Sequence, residues 1–584
     1  MVKLSSNMVS LALSMQAVFA TAVVQATSRP VAETLNGSYY GVHTEPLNQD
    51  LFVGIPYAEP PVKELRFANP RSLNMTWRGA LPATNYAPEC VGYGPVQQGY
   101  QQNEDCLYLN IVRPSGYENE TLPVLVWIHG GGFSQGGASD LRYNLSFIVN
   151  NSVNIGKPIM AASIAYRLGP FGFMNGDDVA NEGSTNAGLK DQRLGLHWLK
   201  ENIAGFGGNP DKITSMFCSS NIPQLGNVTD RVIVWGQSAG AASVGIQLLA
   251  FNGRDDKLFR AAIMMSGNPL YYGAQNKTND YQSKYDGFVK AAGCEDCTNP
   301  LACLRRLPYA VMNNILNTTS FNSGWNPAID GDFIARYSSD QMADGSFVHV
   351  PIISGANSDE GTSFSPTPVN SEAAFTSFLN VTSSSQIAWP ADVLSSLERL
   401  YMEEEEYQIP SAAALGGNVT IGPPYGPFWR RSAAYFGDYT FIAGRRLTCQ
   451  TWASAGLPAY CYRFNAIPSS LSWPLQATHF AENAFVFANL EGVGYKAIKP
   501  FANRTQSYFD LSYLMSSTLA SFTNDLNPNG WKGRDTEVGS WPMYDAKMPR
   551  NLVFDANVTS YIELDTFRAE GIRLLNEHNY LQRR

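Results

Sequence analysis

Apolar and β-branched runs of strand length alternate along this chain with stretches of helical periodicity, the pattern of a sheet covered on both faces by helices. Residues 122–128, Leu-Pro-Val-Leu-Val-Trp-Ile, predict a buried strand, and residues 158–164, 232–235, 349–353 and 459–464 predict further strands of the same sheet. Between them, Leu189, Leu196, Leu199 and Ile203 fall on one helical face, and Gly205, Gly207 and Gly208 stop that helix. A second helix, carrying Val244, Ile246, Leu248 and Leu249, is expected straight after 232–235. No internal repeat or low-complexity linker divides the chain. One large α/β domain over 27–584 explains the pattern better than two.

Composition narrows the class. The chain has 584 residues, 44% of them hydrophobic and 16% charged, which supports a large buried core and argues against disorder. Its formal net charge is -9 with no basic run, so nothing offers a nucleic acid the positive face it needs. Residues 1–26 read as an export signal: Lys3, an apolar stretch from about Met8 to Val24, and a small-residue cleavage site after Ala26. No later stretch is apolar enough to span a bilayer, and the product is expected to be soluble and outside the cytosol. Twelve N-x-Ser/Thr sequons, among them Asn317, Asn503 and Asn557, fit a glycosylated surface. Eight cysteines allow two to four disulfides. Cys294-x-x-Cys297 stands alone and Cys303 competes for either partner, which argues against a metal or redox site.

Acyl transfer on serine needs an activated hydroxyl, a base, a group that orients the base, and donors for an oxyanion. Gly236-Gln237-Ser238-Ala239-Gly240 matches G-x-S-x-G, and so does Gly132-Phe133-Ser134-Gln135-Gly136. With 50 glycines, about one chance match is expected, so context decides between them. Only Ser238 stands between a predicted strand and a predicted helix, where a sharp turn lifts a hydroxyl over a helix N-terminus. The glycine run after the first strand, at Gly130, Gly131 and Gly132, can aim backbone N–H groups at one oxygen; Gly131, Gly132 and Ala239 are the candidate donors. Among six histidines, His479 is the candidate base: it lies in a loop after the last strand, four others precede any plausible acid, and His578 sits in a polar terminal helix. The acid should follow strand 349–353, where Asp359 and Glu360 are adjacent and residue chemistry alone does not choose between them.

With these residues in view, the chain resembles the type-B carboxylesterase/lipase family, the cholinesterase-like branch of the α/β-hydrolases, and most of all its secreted fungal members. Gly54-Ile55-Pro56-Tyr57-Ala58, Glu104-Asp105-Cys106-Leu107-Tyr108-Leu109-Asn110, Tyr166-Arg167-Leu168-Gly169-Pro170-Phe171-Gly172-Phe173 and Asp191-Gln192-Arg193 carry the likeness. The resemblance implies an α/β-hydrolase fold, Glu360 as the acid, Ser266 as a supporting serine near it, and disulfides Cys90–Cys106 and Cys294–Cys303. It leaves Cys449 and Cys461 with no assignment beyond a possible third bridge. It implies a secreted carboxylic-ester hydrolase that needs no metal or cofactor and takes small-molecule or lipid esters. The rival readings are a triacylglycerol lipase or sterol esterase, and a non-catalytic binding or adhesion member of the fold, which the retained triad argues against.

Two departures stand out. The loop between Cys90 and Cys106 is short for an interfacial flap and holds Tyr93 and Tyr100 but no tryptophan, while Gln237 replaces the glutamate of cholinesterases; both favour a general esterase over a cholinesterase or interfacial lipase. Residues 215–233 also interrupt a stretch that the family runs almost directly into the strand before the serine. Those nineteen residues equal 57 nucleotides, the size of a small intron left in frame; a real surface loop is the alternative.

Overall fold

The computed structural model describes residues 29–118, 120–208, 232–270, 273–381, 388–417, 421–534 and 537–584. The expected export signal at 1–26 and all but the end of 215–233 lie outside them.

Eleven strands form one sheet. In chain order they are β1 (Val42–Thr44), β2 (Gln49–Pro56), β3 (Tyr108–Pro114), β4 (Val124–Ile128), β5 (Met160–Ile164), β6 (Val232–Gln237), β7 (Ala261–Met265), β8 (Ile352–Asn357), β9 (Ala459–Phe464), β10 (Arg550–Phe554) and β11 (Tyr561–Leu564). Their spatial order is β11-β10-β9-β8-β7-β6-β4-β5-β3-β2-β1. From β5 to β10 the strands are parallel; the outer ones are antiparallel.

The parallel strands read as continuous apolar runs because both of their faces are covered. Val124, Val126 and Ile128 of β4 enter one core, while Leu125 and Trp127 enter the other. The same alternation divides β6, with Val232 and Val234 on one side and Ile233 and Trp235 on the other. Helices α1 (Ala187–Asn202) and α2 (Ala239–Gly253) cover the first face, placing Leu189, Leu196, Leu199, Val244 and Leu248 there. A third cluster, with Phe375, Leu397, Tyr435 and Phe441, gathers under α3 (Trp429–Gly437) and α4 (Ala443–Ser454). On the second face, α5 (Gln506–Asp525) packs Leu511, Met515 and Leu519 against the sheet.

The expected runs 122–128 and 158–164 become strands two residues later, at Val124 and Met160, 232–235 extends to Gln237, and one strand shifts further. The run 349–353 becomes Ile352–Asn357, starting three residues later. Pro351 has no N–H for the ladder and its carbonyl accepts from Ala262 instead, so regular pairing begins at Ile352. Cys90–Cys106 and Cys294–Cys303 are paired, and Cys449–Cys461 adds a third bridge between α4 and β9.

Candidate active site

The predicted site residues all follow carboxyl ends of parallel strands, near the point where the chain turns from β5 back across β4 to β6. Open α/β sheets bind ligands at such a switch point. β6 is buried along its whole length and paired on both sides, by β4 and by β7. It ends at Gln237, and α2 begins at Ala239. Ser238, between them, has φ 58° and ψ -126°, a conformation that costs an L-residue about 1–3 kcal/mol and persists only when its surroundings enforce it. Its N–H donates to Met265 O at 2.9 Å, and its carbonyl accepts from Ala242 N at 2.9 Å. The flanking glycines are required by space. A Cβ on Gly240 would lie 2.0 Å from Ile128 O, and one on Gly236 would lie 2.4 Å from the Gly240 carbonyl carbon.

After β4 the chain turns through Gly131 (φ 107°) and Gly132 (φ 64°). A Cβ on Gly131 would meet Gln135 O at 2.1 Å. His129 anchors this turn: its buried ring stacks on Tyr166, and Tyr166 OH donates to His129 O at 2.8 Å. Burial lowers the His129 pKa to about 4, so it stays neutral. Among the described residues, the N–H groups of Gly131, Gly132 and Ala239 donate to no protein acceptor. Ser134, the serine of the second G-x-S-x-G, bonds Gly131 O through Oγ at 3.3 Å and belongs to this turn.

His479 reaches the site from the loop after β9. Its Nδ1 lies 2.6 Å from Glu360 Oε2, and Glu360, fully buried, also accepts from Asn357 N at 2.8 Å. Geometry therefore chooses Glu360 over Asp359. Asp359 points away to accept from Ala477 N at 3.1 Å, and burial pushes its carboxyl up to about 6. With Nδ1–H donated to Glu360, the Nε2 lone pair faces the cavity, where Gln237 Nε2 approaches it at 3.3 Å. Ser238 Oγ makes no hydrogen bond among the described residues, although Ser238 and His479 line the same cavity of about 420 Å³ with Gly131 and Gly132. Such contacts commonly tighten only when substrate binds.

Ser266 meets Glu482 rather than Glu360 itself: its Oγ donates to Glu482 Oε1 at 3.2 Å. Asn357 joins the two carboxyls, holding Glu482 Oε2 by its side chain at 2.6 Å and Glu360 by its backbone. Burial, then the nearby Glu360 charge, raises the Glu482 pKa.

Comparisons with known proteins establish the family. The sequence model described as the carboxylesterase family matches residues 22–220 and 216–569. The chain belongs to the carboxylesterase family. As a member it is a carboxylic-ester hydrolase with the α/β-hydrolase fold. It is 32% identical over 562 residues to "Secreted lipase 1" of Botryotinia fuckeliana, covering 88% of this chain and 86% of that one. It is 31% identical over 602 residues to "Lipase 5" of Diutina rugosa, covering 95% and 97%. The crystal structure of Aspergillus niger EstA superposes with a TM-score of 0.78 at 24% identity, over 95% of this chain and 99% of that one, a likeness of fold.

Carboxylesterase family patterns do not point to every residue at this site. Phe441 stacks on the His479 ring with centroids 4.5 Å apart, and Phe364 meets it edge-on at 5.1 Å. Phe441 comes from Asp438–Ile442, a π-helical turn joining α3 to α4. Such bulges cluster at functional sites, but no residue pattern announces them. Arg142, clamped to Asp140 with Nη2–Oδ2 at 2.5 Å, also lines the cavity and lies over Phe480.

Proposed function

We propose that Ser238 is the nucleophile, His479 the base and Glu360 the group that orients it, with Gly131, Gly132 and Ala239 as oxyanion donors. The observation that carries this reading is that Ser238, His479, Gly131 and Gly132 line one cavity: a hydroxyl on a strained turn, an imidazole tied to a buried carboxylate, and two N–H groups with no protein acceptor among the described residues, with the N–H of Ala239 next in the chain after Ser238. His479 Nε2 takes the Ser238 proton as Oγ attacks the ester carbonyl carbon. Negative charge then collects on the carbonyl oxygen, where donors held in place stabilise it without reorganising. His479 returns the proton to the alcohol oxygen as the C–O bond breaks, leaving an acyl-serine. Water, deprotonated by Nε2, attacks the acyl carbon; the bond from that carbon to Oγ breaks, His479 returns the proton to Oγ, and the acid leaves. No step calls for a metal or cofactor.

The substrates are carboxylic esters with an apolar acyl or alcohol part, since Phe364, Phe436 and Phe441 line the cavity. A lipase reading is favoured by the names of the relatives and by Phe364, which is 45% exposed beside the site and offers an apolar contact to a lipid surface. Ser238→Ala should abolish turnover and organophosphate labelling together; label retained by the variant overturns the nucleophile. A series of nitrophenyl esters separates the substrate readings: rates falling with chain length support the esterase, and a jump at the substrate's solubility limit supports the lipase.

The protein works outside the cell and carries N-linked sugars. Residues 1–26, three disulfides and the name of the Botryotinia relative support this. Among the described residues, no helix is long and apolar enough to cross a membrane. Secreted material should begin at Thr27.

A further inference from the structure

A second cavity, of about 460 Å³, opens between α5 and the turn after β10. It shares no lining residue with the catalytic cavity. Its size falls in the ~300–1,000 Å³ range of small-ligand clefts. Asn557, Val558 and Thr559 form part of its wall, and all three are exposed. They are also a complete N-x-Thr acceptor for an N-linked glycan. The Asn557 carboxamide is already oriented: Tyr508 OH donates to its Oδ1 at 3.2 Å, and the backbone N–H of Asn557 donates to Asp555 Oδ1 at 2.8 Å. Its Nδ2, the atom that would carry the sugar, donates to nothing among the described residues.

The rest of the cavity has the chemistry of a sugar site. Tyr513 is 41% exposed and stands edge-on to Trp531, with ring centroids 5.5 Å apart and planes at 81°. An exposed aromatic face suits the C–H face of a pyranose. Trp531 is 6% exposed, and its indole N–H has no partner among the described residues, an orphan donor beside a concave surface. Ser507 and Asp510 add a hydroxyl and a carboxylate to the wall. Asp510 Oδ1 already holds Gln506 Nε2 at 3.0 Å, which leaves Oδ2 for sugar hydroxyls.

We propose that this groove receives the first N-acetylglucosamine residues of a glycan attached to Asn557 itself, folding part of the sugar into the protein surface. The sugar is transferred to the extended chain before the groove closes around it, so burial afterwards does not obstruct attachment. The proposal rests on passage through the secretory pathway, as argued above.

The test uses the full-length protein secreted from a glycosylating host. An endoglycosidase that cuts between the two core N-acetylglucosamines is applied to native and to denatured protein, and glycopeptide mass spectrometry follows Asn557 beside the exposed sites Asn317 and Asn503. Asn557 should be occupied and cut at least about tenfold more slowly in the native protein, because cutting waits for the sugars to leave the groove; after denaturation the rates should be equal. Tyr513→Ala should remove that protection and Tyr513→Trp should keep it, both with unchanged ester hydrolysis. Modification at Asn317 or Asn503 with Asn557 bare, or native cutting equally fast at all three, overturns the groove. If every sequon is bare, the secretory reading fails and this inference fails with it.

Discussion

His479 presents its one free nitrogen to Gln237, the residue just before the proposed nucleophile, at 3.3 Å. Substrate binding therefore has a defined task, to bring that lone pair to Ser238 Oγ while Nδ1 stays tied to Glu360. Glu360→Gln keeps the size of the side chain but loses its charge and its preference for the productive tautomer. We expect kcat to fall about 10⁴-fold with serine still present, by analogy with the amide replacement in other serine triads, and with little change in KM. Steady-state kinetics against Asp359→Asn, a neighbour that does not touch the imidazole, checks it. Ser238, Gly131, Gly132 and His479 were legible in the chain because each has a local signature or few competitors. Glu360 was legible only as one of two adjacent carboxylates until family resemblance and then geometry separated them. The Ser266–Glu482 contact and the Phe441 stack were not legible, since they join residues more than a strand apart.

Elements turn those residues into a site. The two halves of the proposed oxyanion cluster directly follow β4 and β6, which pair in register from Val232 opposite Val124 to Gly236 opposite Ile128. Val232 and Ile233 begin β6, yet both belong to the stretch 215–233. In a chain lacking that stretch, Ile213 and Thr214 would take their places, equally suited to a strand. We therefore propose that the transcript is spliced without those 57 nucleotides. Sequencing the cDNA checks it, and a message that retains them makes the stretch a real insertion. On the far side of the cavity, Cys449–Cys461 ties α4, and through it the π turn carrying Phe441, to β9. Closing a loop of separation 12 is worth about 3 kcal/mol in the chain-entropy model. Cys449→Ala with Cys461→Ala should lose roughly that in denaturant melts, while Ser238 labelling persists below the transition.

At the scale of the whole molecule, several carboxyls are buried where a charge is costly. Burial pushes Glu89 up to about 7 from 4.5, against the pull of its Ser139 hydrogen bonds, and pushes Asp359 up to about 6 from 3.8. Groups raised on folding contribute stability that is complete below their unfolded values and is lost as pH climbs through their folded ones. Asp565 acts in the opposite sense. Burial alone would raise it, but Arg445 and Arg446 hold it below the ordinary carboxylate range, and its contribution disappears as pH falls. The melting temperature should therefore be highest near pH 4–5 and decline between about pH 4.5 and 7, a slope that Glu89→Gln reduces. The Glu89 share of that slope is about 3 kcal/mol. Thermal melts across pH 4–8 measure it; a flat profile contradicts the burial of these groups.

The sequence by itself determined the layered α/β architecture, because strands buried on both faces must be apolar throughout and helices must be apolar on one stripe. It also determined the strained serine turn and the glycine loop, because their backbones tolerate few residue types. Tertiary structure alone decided that Ser266 meets Glu482, where the strand after Pro351 begins and which aromatic rings wall the cavity. Those are contacts between segments distant in the chain, and close packing, not local preference, selects them.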